Sequence, residues 1–372
     1  MKNFQLIPQI YSFDNFKDFV EEFKVGDGDL VLTHKFIYEP FMKELNIKSE
    51  FIFQEEYGFG EPTDEMINKI ISDIPNKKIN RIIGIGGGTV IDIAKLMIFK
   101  DVVDCLDLFE KRIPLIRDKS LIIVPTTCGT GSEVTNISIA EIKSKHTKMG
   151  LASDELFANQ AVLIPELMKG LPFKFFVASS IDALIHAIEA FVSPKSNAYT
   201  ELFSIRAIEM IIKGYIEIIE KGEEQRLALL KKFSTASNYA GIAFVNAGVG
   251  AVHAMSYPLG GVYHVAHGEA NYHLFTEVFK MYNKKNPSGK IKEINSILTN
   301  ILNLSDGEDV YKEIENVLNK LLMKRPLKEF GMKLEEIELF TDSVIEKQQR
   351  LLVNNYVQLS REEMIEIYKN LY

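Results

Sequence analysis

The stretch RIIGIGGGTVIDIAK, residues 81–95, decides how the first half of the chain folds. Arg81, Ile82, Ile83, Gly84 and Ile85 make a short apolar run of the kind that fills a buried strand. Gly86, Gly87 and Gly88 follow at once, and Thr89 to Lys95 then read as the start of a helix. A strand, a glycine turn and a helix N-terminus bring bare backbone N–H groups and a positive helix end together, where a pyrophosphate can sit. Thr89 stands in the place of the third glycine of the GxGxxG fingerprint, so a purely structural turn also accounts for the stretch.

Outward from this point the pattern repeats. Residues 29–33, 51–53 and 121–125 read as further buried strands, and Thr63, preceded by Pro62, caps the start of a helix between two of them. Strands alternating with helices predict a parallel sheet covered on both faces. A second loop, PTTCGTGSEVT at 125–135, again follows a strand. Its interleaved hydroxyls and glycines suit hydrogen bonding to a ribose and a nicotinamide. A helix start capped by Ser132 or Thr130 is compatible with the same residues.

Beyond about Phe176 helical periodicity takes over, at 180–192, 198–220, 224–247, 308–323, 334–352 and 361–371, with loops at 287–289 and 305–307. The expected organisation is therefore an α/β domain over 1–175 and an all-α domain over 176–372. The second domain carries the stretch richest in chemistry, Ser180 to Asn271. Asp182 and His186 lie four residues apart, on one face of a helix. His253 and His267 lie 14 residues apart, inside a segment from Phe233 to Gly268 that has no Asp, Glu, Lys or Arg. Burying imidazoles costs free energy unless they are paired or coordinated. A divalent metal with oxygen and nitrogen ligands satisfies them, and so does a set of hydrogen-bonded core histidines.

Composition narrows the class. With 46% hydrophobic and 25% charged residues the chain reads as ordinary globular protein. A net charge of −8, a pI near 5.6 and the lack of a basic stripe argue against nucleic acid as a partner. Cys105 and Cys128 are too few for a disulfide framework, which suits a reducing compartment. The first residues lack the apolar core of a signal peptide, so the expectation is a cytoplasmic protein. The uncharged run 233–268 is long enough for a membrane span, but its glycines, Pro258 and histidines favour a buried helix and loop.

Taken together, GGGTVIDIAK, PTTCGTGSEVT, IDALIHAIEAF and HAMSYPLGGVYHVAHGEAN resemble the iron-containing (group III) alcohol dehydrogenases. The resemblance spans most of the chain and keeps the order of its motifs. It implies a Rossmann-like N-terminal domain followed by an all-α C-terminal domain, the dehydroquinate synthase-like architecture, with metal and coenzyme in a cleft. It implies NAD as coenzyme and a divalent metal, Fe²⁺ first and Zn²⁺ second, acting on a small alcohol and its aldehyde. The family's metal ligands fall on Asp182, His186, His253 and His267. Its pyrophosphate loop falls on Gly86, Gly87, Gly88 and Asp92, its nicotinamide and ribose contacts on Thr126, Thr127, Thr130 and Ser132, and its lysine near the coenzyme on Lys148. A homodimer without nucleic acid or membrane partners is the expected assembly.

Two departures from the family pattern stand out. Tyr257 occupies the position of a histidine found near the nicotinamide in many members, which makes His264 a candidate substitute. His34 follows the strand 29–33 where many NAD-preferring members have an aspartate. The stretches FQEEYGFGEPTDEMI and QQRLLVNNY resemble members that act on a hydroxy acid. Arg350, the cation in the latter, is the candidate partner for a substrate carboxylate. The competing expectations are an uncharged alcohol as substrate, and a dehydroquinate synthase-type lyase.

Overall fold

The computed structural model describes residues 2–145 and 147–372. The chain forms two compact units, Leu6–Leu171 and Pro172–Tyr372, and the described residues ahead of Leu6 belong with the second. They join it through specific contacts. The Gln5 N–H donates to Asn246 Oδ1 at 2.7 Å, and the Phe4 ring stacks on Phe203 at 5.8 Å.

The first unit is built on β1 (Gln9–Ser12), β2 (Asp29–Thr33), β3 (Glu50–Phe53), β4 (Arg81–Gly86), β5 (Ser120–Pro125) and β8 (Gln160–Leu163). Their order in the sheet is β1-β8-β5-β4-β2-β3, and every pairing is parallel. Two strands outside this sheet, β6 (Ile137–Ile142) and β7 (Thr147–Ala152), form an antiparallel hairpin.

Alternation along the strands explains why both faces are covered. Leu30, Leu32, Ile82, Leu121 and Ile123 enter one core layer with Ile67, Val90 and Ile93, while Val31, Ile83, Ile85, Ile122 and Val124 join Phe16, Phe19 and Ile37 in the other. Strands that bury both faces read as continuous apolar runs, which is why they stand out in the sequence. The α/β expectation holds. The hairpin escapes sequence patterning, because its strands are half exposed and carry charges.

The expected glycine turn is present. β4 runs into a helix at Gly88–Leu96 with Gly87 as its N-cap. A Cβ on Gly86 would lie 2.5 Å from Val90 Cβ, and one on Gly84 would lie 2.7 Å from Ala94 Cβ. These two glycines let the helix press directly onto its own strand. The strand order reverses direction at β2 and β4, so their C-terminal ends form the crevice where open α/β sheets take ligands.

The second unit is entirely helical among the described residues. Its centre is the helix Phe173–Val192, whose buried residues include Phe176, Ile181, Asp182, His186 and Glu189. That helix is long and apolar enough to cross a membrane, yet 89% of its most apolar window is buried inside the protein. It is a core helix. The uncharged segment resolves into the helices Arg226–Ala247 and Ala251–Tyr263, which meet at 107°. Gly248 (φ 82°) ends the first of them, and a Cβ there would meet Asn354 at 2.5 Å. Asn354 also donates to the Val249 carbonyl at 3.1 Å, which fixes the bend. The helix expected over 334–352 breaks at Gln348 (φ −112°, ψ 25°), giving Glu336–Lys347 and Gln349–Leu352.

Candidate metal centre and glycine loops

Three helices converge on Asp182. Asp182 and His186 project from Phe173–Val192, His253 from the first turn of Ala251–Tyr263, and His267 from the first position of His267–Lys285. One ligand atom from each residue lies within 4.8 Å of all the others. An Asp182 oxygen is 3.6 Å from His253 Nε2 and 3.7 Å from His267 Nε2, and the other is 3.8 Å from His186 Nδ1. These separations are too long for hydrogen bonds. They match the spacing of neighbouring ligands around a tetrahedral cation bound at about 2.1–2.2 Å.

Backbone contact makes the convergence possible. A Cβ on Gly268 would lie 2.1 Å from the Ala178 carbonyl oxygen, so only glycine lets these two helices approach closely enough for His267 to reach Asp182. One turn on, Asn271 Nδ2 donates to Asp182 Oδ1 at 2.7 Å. The His186 ring is sandwiched between Phe244 at 4.3 Å and His253 at 4.5 Å.

Glu189 sets the direction of His253. Its Oε2 accepts from His253 Nδ1 at 2.5 Å, and its Oε1 accepts the Val252 N–H at 2.8 Å, capping the helix that carries the histidine. With Nδ1 engaged, Nε2 is the nitrogen turned toward Asp182, buried and without a hydrogen-bond partner. A carboxylate behind a ligating histidine fixes its tautomer and raises its basicity. Glu189→Gln should therefore weaken metal retention by roughly 10–100-fold at unchanged fold. Chelator competition against wild type measures this, and equal retention would remove Glu189 from the centre.

The electrostatics favour a cation. Burial alone would raise the Asp182 carboxyl, yet His186, His267 and His253 hold it well below the carboxylate range. Burial alone would lower His253, yet the Asp182 and Glu189 carboxylates raise it to about 9. Positive charge is wanted at this point. The Asp182, His186 and His253 side chains are at most 6% exposed, whereas His267 is 37% exposed, so the cluster opens on one side.

Tyr257 stacks on His267, with ring centres 6.3 Å apart, and its hydroxyl accepts from Arg350 Nη2 at 2.9 Å. The structure thus brings Tyr257 beside His267 and Arg350 against Tyr257. His264 lies apart from it, exposed, in a left-handed conformation (φ 53°) at the end of its helix.

In the first unit the two loops face each other. Cβ atoms on Gly87 and Gly88 would meet Thr127 at 3.4 Å and Thr130 at 3.2 Å. Thr126 and Ser132 are buried. Asp92 accepts from Ser132 Oγ at 3.0 Å and from the Ile139 N–H at 3.1 Å, so it joins helix, second loop and hairpin. Burial pushes its carboxyl up. Lys95, fully buried, donates to Ser132 Oγ, Thr135 Oγ1 and the Ile137 carbonyl at 2.8, 3.0 and 2.7 Å. Lys148 on β7 pairs with Glu61, and His34 at the end of β2 pairs with Glu55.

Sequence reasoning does not single out Glu189, Asn271, Lys95 or Glu55. Two of them carry a signal. Glu189 follows Asp182 by two helical turns in an otherwise apolar helix, and Lys95 interrupts an apolar helix three residues after Asp92.

Comparison with known proteins agrees over the whole chain. The family model for iron-containing alcohol dehydrogenase matches residues 8–165, and that for the C-terminal part of the Fe-containing alcohol dehydrogenase family matches 176–372. The chain is 59% identical to a 4-hydroxybutyrate dehydrogenase of Clostridium kluyveri over 100% of both sequences. It is 33% identical to long-chain-alcohol dehydrogenase 1 of Geobacillus thermodenitrificans, covering 83% of this chain and 79% of that one. The fold matches that of a sulfoacetaldehyde reductase from Bifidobacterium kashiwanohense, solved with NAD⁺, with a TM-score of 0.85 and 22% identity over 100% and 98% of the two chains.

Proposed function

This chain belongs to the iron-containing alcohol dehydrogenase family, and we propose that it interconverts 4-hydroxybutyrate and succinate semialdehyde with NAD and a divalent metal. The observation that carries this reading is the Asp182, His186, His253 and His267 cluster, in a chain that aligns end to end with a 4-hydroxybutyrate dehydrogenase. In the oxidative direction bound NAD⁺ would supply the hydride acceptor, and the hydroxyl proton would pass to solvent, so that alcohol and NAD⁺ balance as aldehyde, NADH and a proton.

Asp182, His186, His253 and His267 would hold the metal, which supplies Lewis-acid stabilisation of negative charge on the substrate oxygen. Glu189 and Asn271 keep His253 and Asp182 in position for that task. Gly87, Gly88, Thr127 and Thr130 present backbone and hydroxyl groups to the coenzyme, with the helix N-terminus behind them. Asp92, Ser132 and Lys95 act one layer further in, holding the loops together. Arg350 receives the substrate carboxylate and Tyr257 orients the guanidinium, a reading supported by Tyr257 stacking on His267 while its hydroxyl oxygen accepts from Arg350.

The direct test is absorbance of reduced coenzyme with purified protein, 4-hydroxybutyrate, a panel of uncharged alcohols, and both NAD and NADP, alongside elemental analysis. Turnover of 1-butanol or 1,3-propanediol in preference to the hydroxy acid would overturn the substrate assignment. Arg350→Met should raise KM for 4-hydroxybutyrate roughly tenfold to several-hundredfold, the size of a hydrogen bond to a charged group, and leave 1-butanol unchanged. Equal losses on both substrates would assign Arg350 to the fold instead.

A further inference from the structure

Dinucleotide folds usually place an acidic residue one strand over from the glycine turn, where it accepts from a ribose 2′-hydroxyl. Here that place, the end of β2, holds His34. The β2–β4 pairing ends at Leu32↔Gly84, and His34 and Gly86 each follow two residues beyond that last pair. The missing carboxylate comes from the next strand. Glu55, just beyond β3, turns back so that Oε2 lies 3.0 Å from His34 Nδ1 and Oε1 accepts the Lys35 N–H at 2.7 Å.

Both side chains are reachable, at 16% exposed for His34 and 22% for Glu55. Each Glu55 oxygen accepts one hydrogen bond in this arrangement and keeps a second lone pair for another donor. The adjacent lysine makes its close ion pair with Glu56, Lys35 Nζ lying 2.5 Å from Glu56 Oε1, and acts on Glu55 only from a longer range. Glu55 is therefore a part-exposed carboxylate held by His34 and the Lys35 N–H at the end of β2.

We infer that Glu55, oriented by His34, binds the adenosine ribose of the coenzyme and sets its selectivity by repelling a 2′-phosphate. The inference rests on the proposed seating of NAD at the glycine loops. A ribose hydroxyl can donate to this carboxylate, whereas a phosphate ester in the same place brings two like charges together in a partly desolvated site. His34 is a positioning residue here, since it carries no negative charge of its own.

Titrations of NADH and NADPH against wild type, Glu55→Gln and Glu55→Ala, followed by coenzyme fluorescence without substrate, test this. Wild type should prefer NADH. Glu55→Gln should bind NADPH about tenfold or more tighter than wild type, with NADH affinity within about threefold. Unchanged NADPH affinity beside intact NADH binding would overturn the inference. A parallel loss of both coenzymes in both variants would also overturn it, showing that Glu55 shapes the loop rather than screening the phosphate. If wild type binds neither coenzyme, the seating of NAD fails first and takes this inference with it.

Discussion

His267→Ala should leave the protein folded and lower turnover by about a thousandfold or more, with metal content falling alongside it. The size follows from losing Lewis-acid stabilisation worth several kcal/mol. The retained fold follows from position. His267 is the most exposed of the four residues and opens its helix at the first position, so its side chain contributes little to the core. Asp182→Asn should also weaken metal retention, because Asp182 is the one carboxylate among the four candidate ligands and its charge offsets that of a divalent ion. Elemental analysis, thermal melting and a single-substrate assay together check this. An active His267→Ala enzyme with a full metal complement would remove His267 from the centre.

The second large effect is expected at Lys95, through stability rather than chemistry. Burial lowers its pKa from an ordinary 10.5 to about 8, so holding its charge inside costs about 3 kcal/mol at neutral pH. Lys95→Ala relieves that cost. It also strands three acceptors, each worth about 1–3 kcal/mol, and removes three buried methylenes of the stem, worth about 0.8 kcal/mol each. The losses win by about 2 kcal/mol at the least, a drop in Tm of roughly 4–8 °C or more. NADH should bind more weakly as the second loop loosens. Lys95→Met keeps the stem and should lose less.

The pH dependence carries a sign. Between about pH 8 and 10.5 the unfolded chain holds a proton that folded Lys95 has released, so this residue makes stability rise with pH across that window. Below pH 8 both states are protonated and the cost of burial is fully present. Melts of wild type and Lys95→Met over pH 7.5–10 should diverge in this way, with the rise missing in the variant. Parallel curves would mean that Lys95 titrates in the ordinary lysine range.

Much of the fold and of the metal cluster is legible in the order of residues alone. The strands 29–33, 81–85 and 121–125 announce themselves because both of their faces are buried. The cluster is legible because histidines in an uncharged segment need partners. Other features depend on pairings that no local pattern encodes. β1 pairs with β8 across some 150 residues, and in the hairpin only β6 alternates in burial, its partner β7 burying Leu151 alone. Glu55 sits in plain view in FQEEYGF, one acidic residue beside another. Only the turn after β3 gives one of them His34 and the other Lys35.

The uneven burial of the cluster has a consequence in the cell. Three ligands are already gathered inside the folded helical unit, and the fourth stands at its surface, so loading needs no unfolding. The expected path for an ion then leads past His267, the one part-exposed member of the set. Protein emptied of metal by a chelator should recover activity when a divalent ion is added back, without a refolding step.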